Sequence, residues 1–308
     1  MPFINYKALI ALIFFSTALG ATEHKISILQ YGESNISKIY FEELQKTSDS
    51  RTIKTIDLKK SPIPEKPEII YIILGVTALK KYLQEEVSSF AIVLFVPKST
   101  YYHTIKAFEH TKYSDGEEVD ISNITAIFSD PSPVNQLDLI KKYFPNDVNI
   151  GILLSPATRY LEKEINAIKL EKTIIDFAYK YKKTDINKAL NQLRESDVIL
   201  AIKDNLIWNR KNIKNLILST YRKEQPIFGY DKNLVKAGAV ATTYSDISDI
   251  ANDTNKMLNY IDNESSIPLP TYPTNFNTAV NEKVRKSFGF SKSTSTQPKE
   301  IELNETVL

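Results

Sequence analysis

The chain alternates short apolar runs with segments whose apolar residues recur every three or four positions. His24–Tyr31 (HKISILQY), Ile53–Leu58, Glu68–Leu74 (EIIYIIL), Phe90–Val96 and Ile124–Phe128 read as strands. EIIYIIL is almost continuously apolar, as a strand buried on both faces of a parallel sheet should be. Between these strands, Ile36, Ile39, Tyr40 and Leu44 lie near one helical face, and Gly75–Tyr82 reads as a second helix. Pro97–Ser122 is polar and shows neither period clearly. A second series follows. Pro133 opens a helix carrying Val134, Leu137, Ile140 and Phe144. Strands are predicted at Val148–Leu154, Thr173–Phe177, Val198–Ile202 and Gln225–Gly229. Helices are expected from Ser155–Pro156 through Ile168, around Ile186–Leu193, over Asn205–Tyr221 and over Ile247–Ile261. Gly238–Thr243 is a short run of small residues. Three prolines mark 263–276 as a crossing linker. Phe276–Val280 reads as a strand, Glu282–Phe288 as a last helix and 291–308 as a polar tail.

Repeated strand–helix units predict parallel sheets with helices on both faces. Two such sets predict two α/β lobes. Ligands of open α/β sheets sit beyond the carboxyl ends of the strands. That rule singles out Tyr31, Gly32 and Ser34; Gly75, Val76 and Thr77; Ser129 and Asp130; Ser155 and Pro156; Asp204 and Asn205; and Tyr230 and Asp231. Thr77 and Ser155, at expected helix starts, offer a hydroxyl and free N–H groups to an anion, or simply cap the helix. Asp204 offers an acceptor for an ammonium group, and Asn205 suits a carboxylate or amide. Tyr31 and Tyr244 are candidate stacking walls. Trp208 reads as packing.

Composition narrows the chemistry. The 308 residues contain no Cys and three His (His24, His103, His110), so thiol catalysis and Cys-ligated metals are excluded and a multi-histidine site is hard to build. Carboxylates are the remaining metal ligands. The charge of +2, from 39 basic against 37 acidic residues, gives no argument for nucleic acid. No H-E-x-x-H, P-loop or dinucleotide fingerprint is present, Ser155 lacks a G-x-S-x-G setting, and Glu85–Glu86 and Glu117–Glu118 fit a solvated face. No enzyme activity, cofactor or metal is expected. At the amino end, MPFINYK precedes the short apolar run Ala8–Gly20, with Ala18 and Gly20 small before Ala21. This is the layout of a signal peptide over residues 1–20, cut near Gly20/Ala21, which predicts export to the periplasm. The absence of a following Cys excludes a lipoprotein anchor.

Several segments together resemble one family. They are NITAIFSDPSP (Asn123–Pro133) with QLDLIKKYFP (Gln136–Pro145), GILLSP (Gly151–Pro156) and SDVILAIKDN (Ser196–Asn205). QPIFGYDKNLVKAGAVATTYSD (Gln225–Asp246) and NFNTAVNEKVRKSFGF (Asn275–Phe290) complete the set, and the former is the most specific. These segments resemble the ABC-transporter substrate-binding proteins of the type I periplasmic-binding fold, a family that includes predicted tryptophan and tyrosine receptors. The resemblance runs from about 120 to 290. It implies two Rossmann-like three-layer lobes joined by three crossings: 21–128 with 243–264, and 129–242 with 265–290. It implies a small polar ligand, amino-acid-like and in some branches aromatic, in an interlobe cleft that closes by hinge motion. The cleft residues it implies are Tyr31, Gly75, Thr77, Ser129, Asp130, Ser155, Asp204, Asn205, Asp231 and Tyr244. The implied partner is an ABC permease, met transiently by a monomer. A periplasmic sensor not coupled to import is the alternative. Ala126 stands where the family often has Gly, a Gly expected after Tyr244 is absent, and Tyr230 replaces a small residue before Asp231.

Overall fold

The structure, a computed structural model, describes residues 24–302 apart from 49–50, 65, 67, 86, 109–122, 182–184 and 292–299. The expected leader, His110 and Glu117–Glu118 lie outside the described residues. The first half builds β1 (Lys25–Gln30), α1 (Asn35–Thr47), β2 (Ile53–Asp57), β3 (Ile69–Leu74), α2 (Gly75–Gln84), β4 (Ala91–Val96), α3 (Lys98–Phe108) and β5 (Ile124–Phe128). Its five strands form a parallel sheet in the order β2-β1-β3-β4-β5. The side chains alternate between its faces, as the strand period requires. Ile26, Ile28, Ile70, Ile72, Ile92 and Leu94 face one way, and Leu29, Tyr71, Ile73, Ala91 and Val93 the other.

The second half begins with α4 (Pro133–Tyr143), β6 (Val148–Leu154), α5 (Leu161–Asn166), β7 (Thr173–Tyr179), α6 (Ile186–Leu190), β8 (Val198–Leu200), α7 (Ile213–Tyr221) and β9 (Ile227–Phe228). It continues through α8 (Lys232–Ala237), β10 (Ala241–Tyr244), α9 (Ile247–Glu264), β11 (Asn277–Val280), α10 (Glu282–Ser287) and β12 (Glu300–Glu302). The second sheet runs β12-β11-β10-β9-β8-β6-β7, with β10 and β11 antiparallel and the other pairs parallel.

Helix α9 follows a strand of the second sheet but packs on the first. Its Ile250, Ala251, Met257, Leu258 and Ile261 bury against Ile26, Ile28, Tyr40 and Leu44. The chain therefore passes between the sheets three times: from β5 to α4, from β10 to α9 and from α9 to β11. Each passage is pinned by hydrogen bonds. Gln136, buried on α4, donates from its amide to the Gly229 carbonyl and to Thr242 Oγ1 (3.1 Å), and its Oε1 accepts from Thr243 N–H (3.0 Å) and Thr243 Oγ1 (3.2 Å). Thr271 donates its N–H to the Ala126 carbonyl and accepts from Phe128 N–H, both at 2.9 Å, so the last passage extends the edge of β5. Asp253, buried on α9, accepts from Thr274 N–H (2.8 Å), Thr274 Oγ1 (2.5 Å) and Lys256 Nζ (2.8 Å). Near the start of β1, Asp262 of α9 pairs with His24 and with the buried Arg51, each at 2.6 Å.

Several elements differ from the sequence reading. The polar stretch after Pro97 begins with α3, whose buried side is Tyr101, Thr104 and Ile105. Tyr and Thr hide the helical period there. The helix expected from Ser155 begins only at Leu161, because Ser155 and Thr158 fold 155–160 into turns. The long helix expected over Asn205–Tyr221 is halved for the same kind of reason. Leu206 N–H bonds Asp204 Oδ1 (2.9 Å), and Asn209 Oδ1 accepts from Lys211 and Asn212 N–H, so a regular helix starts at Ile213. Helix α8 is additional, capped by Asp231 and ended by Gly238 at φ +134. The tail expected to be loose carries β12, which pairs with β11. Among the described residues no helix is long and apolar enough to cross a membrane.

Replacing Gln136 by Leu should cost about 2–3 kcal/mol in urea denaturation, because a buried carbonyl and a buried N–H lose their partner together. Gly151→Ala should cost about 1–3 kcal/mol, since the new methyl would lie 2.7 Å from Ser196 Oγ and 2.9 Å from Ile199 Cδ1.

Candidate functional site

The carboxyl ends of β4, β5, β6, β8 and β9 bring together most of the polar residues that the strand-end rule selects. Ser129 and Asp130 follow β5. Ser129 N–H bonds the Val96 carbonyl (3.0 Å), while its Oγ is buried without a hydrogen-bond partner among the described residues. Both Asp130 oxygens accept from the N–H of Lys98 at 3.1 Å. Burial pushes the Asp130 carboxyl up to about 6, against the lowering effect of that N–H and of the Lys203 and Lys98 charges. After β6, Ser155 N–H bonds Thr158 Oγ1 (3.0 Å), and Ser155 Oγ accepts from Ala157 N–H (3.2 Å). The Thr158 hydroxyl then donates to Asp204 Oδ2 at 2.7 Å. Asp204 is 5% exposed, and each of its oxygens holds one donor. Asp231 caps α8 through Leu234 N–H (2.8 Å).

Two tyrosines feel the charge of these carboxylates. Burial raises the Tyr160 hydroxyl above its ordinary value, with the charges of Asp130, Glu164 and Asp204 adding to the rise. Burial likewise raises Tyr230, with Asp231 and Asp204 beside it. Ser155 and Asp204 are thus joined through Thr158, while Tyr160 feels the charges of Asp130 and Asp204, and Tyr230 those of Asp204 and Asp231. Lys98 meets Asp130 from the end of β4. There Phe95 adopts φ +60 and the register between β4 and β5 shifts, so the strand turns sharply before Pro97.

The remaining selected residues have other surroundings. Tyr31 is 41% exposed, with Lys59 Nζ 5.3 Å from its ring centroid. Gly75 opens α2 at φ +84 with nothing within 4 Å of where a side chain would begin, and Thr77 is exposed in the first turn. Asn205 is exposed, and its carbonyl accepts from Asn209. Tyr244 lies in β10 with Lys232 Nζ 3.8 Å from its ring centroid, and Lys232 reaches Asp246 at 3.6 Å. Trp208 packs in the core of the second half, yet its Nε1 is buried without a partner among the described residues.

The sequence reading missed Lys98, Tyr160, Glu164 and Tyr272. Lys98 sits just past a strand end, so the same rule would have found it had the following stretch shown its helical period. Tyr160, Glu164 and Tyr272 meet Lys98 only because two separate sheets face each other there, which no local pattern records. Among the described residues no group of three or more acidic or histidine side chains is placed to hold a metal.

A family model described as ABC transporter substrate binding protein matches residues 114–287, more than half of the chain. The chain belongs to that family. Solved structures of the same fold include a ligand-free, open substrate-binding protein with adhesive properties from Clostridium difficile. It is 14% identical, with a TM-score of 0.62 over 91% of this chain and 99% of that one. Another is a conserved domain protein from Vibrio cholerae, 16% identical with a TM-score of 0.52, covering 87% and 95%. A third is the ABC domain in complex with L-Trp from Streptococcus pneumonia, 16% identical with a TM-score of 0.53, covering 87% and 95%. No curated protein matches. The two α/β sheets are those of the type I periplasmic-binding fold.

For this substrate-binding protein the Asp130 geometry predicts a pH signature. Its folded value lies above its unfolded value, so the folded state holds the proton more tightly. Its stabilising contribution is full below the unfolded value and is lost as pH rises through about 6. In urea titrations, the stability of the wild type relative to Asp130→Asn should therefore improve as pH falls from neutral towards the unfolded carboxyl value. A difference independent of pH would place Asp130 in water.

Proposed function

We propose that this substrate-binding protein is an extracytoplasmic solute receptor of an ABC importer. It captures an amino acid or amino-acid-like molecule, aromatic ones included, between the two halves, which close on it by hinge motion about the three passages. The observation that carries the reading is a set of buried polar atoms without a partner among the described residues, on or near the turns that carry the strand-end acids. Ser129 adjoins Asp130 in sequence, Tyr160 Oη feels the charges of Asp130 and Asp204, and Trp208 follows Asp204 by one turn. Buried polar groups are nearly always satisfied, so such a set asks for a ligand's donors and acceptors.

In this reading one lobe comprises 21–128 with 243–264, and the other 129–242 with 265–290. Asp204 and Asp231 keep lone pairs free beyond the Leu206, Thr158 and Leu234 donors they hold, and these accept the ligand's ammonium. The Ser155 turn and the uncapped start of α2 at Gly75 and Thr77 supply donors for its carboxylate. Ser129, Asp130 and Asn205 add polar contacts, and Tyr31 and Tyr244 are the stacking walls. The L-Trp complex of a protein with the same fold supports an aromatic amino acid as the first ligand to try. The leader is cleaved near Gly20/Ala21, the mature protein is a periplasmic monomer, and the loaded form meets the permease transiently. No cofactor, metal or nucleic acid enters this function.

A thermal-shift panel of amino acids, short peptides, nucleosides and sugars tests it, because a ligand that binds only the folded state raises the melting temperature. An amino acid is expected to give the largest shift. Asp204→Asn keeps the side-chain shape and removes the charge, and should weaken that ligand by at least about tenfold in calorimetry. Unchanged affinity would remove Asp204 from the site, and a panel without any shift would contradict the receptor reading.

A further inference from the structure

The ammonium of Lys98 lies in a box of aromatic rings between the two sheets. Its Nζ is 5.0 Å from the ring centroid of Tyr272, 5.6 Å from that of Phe128 and 5.7 Å from that of Tyr160. It also pairs with Glu164 Oε2 at 2.8 Å. The walls come from both halves. Phe128 ends β5, and Tyr272 follows Thr271 on the segment bonded along β5. Tyr160 and Glu164 belong to the turn and helix that follow β6. Glu164 raises the Tyr272 hydroxyl after burial, so the same carboxylate serves cation and phenol. The Lys98 side chain is 16% exposed and that of Glu164 29%.

Three ring faces and one carboxylate around a mostly desolvated cation are the chemistry that takes an alkylammonium group. Here the protein supplies that group itself. The root of Lys98 is fixed, since its N–H is held by Asp130, but its four-carbon stem has rotatable bonds that allow the tip to withdraw. We propose that this box is an ammonium site filled from within by Lys98, and that the filled box is a latch joining α3 of the first half to α5 of the second. The latch stands apart from the receptor reading, but its consequence for ligand capture rests on it: a solute bearing an ammonium group enters the box by displacing Lys98 and takes over its contacts to both halves.

Chemical rescue tests the latch without any solute. Lys98→Ala should lower the melting temperature by at least about 3 °C and raise the radius of gyration in small-angle scattering. Butylammonium chloride should restore both in a saturable way, beyond sodium chloride at equal ionic strength. It should have little effect on the wild type and should fail in a Lys98→Ala, Glu164→Gln double variant. If Lys98→Ala does not fold, Lys98→Met retains the stem and carries the melting and scattering comparison. Wild-type melting and size in the folded single variant, or an equal butylammonium effect on wild type and variant, would overturn the latch. Neither result bears on the receptor reading, which the solute panel tests separately.

Discussion

The structure depends on one buried amide. Gln136 stands where the chain has just left the first sheet, and it grips Gly229, Thr242 and Thr243, the place from which the chain returns. Two of the three passages between the sheets are therefore fastened to one side chain. The third is fastened by Thr271 along β5 and by Asp253 on α9. Two sheets that share three strands of chain would otherwise slide against each other. With their passages fastened, a change of angle about the joint is the motion that the proposed capture of a solute uses.

The same joint places the polar chemistry. The turns after β5, β6, β8 and β9 each carry a side chain that a hydrophobic core would not accept. Burial is tolerated because each acid holds backbone or hydroxyl donors: Lys98 N–H on Asp130, Leu206 N–H and Thr158 on Asp204, and Leu234 N–H on Asp231. In the proposed receptor, a carboxylate held in this way is oriented before any ligand arrives, so less freedom is lost when one binds. Lys98 adds a cation whose tip reaches from one half to the other.

Much of the fold was legible in the chain. The apolar runs EIIYIIL and VNIGILL mark central strands because burial on both faces leaves no room for alternation. What failed were the helix starts. Ser155 and Asn205 read as the openings of helices, and in the structure Ser155, Asp204 and Asn209 hold tight turns in which side-chain oxygens replace the helical carbonyls. Helix α8 was passed over because its six residues are too few to show a period. The candidate site was legible only as a set of strand ends, among them those of Asp130, Ser155, Asp204 and Asp231. Its other half, Lys98 with Tyr160, Glu164 and Tyr272, depends on how two sheets face each other and has no local signature.

The central claim is that a solute held between the halves changes the angle between them. Small-angle scattering of the full chain, with and without a saturating amount of the amino acid that most raises its melting temperature, measures this directly. The account predicts that the radius of gyration falls on binding and that the fall is lost in Asp204→Asn at the same solute concentration. A bound solute that leaves the wild-type radius of gyration unchanged would contradict it.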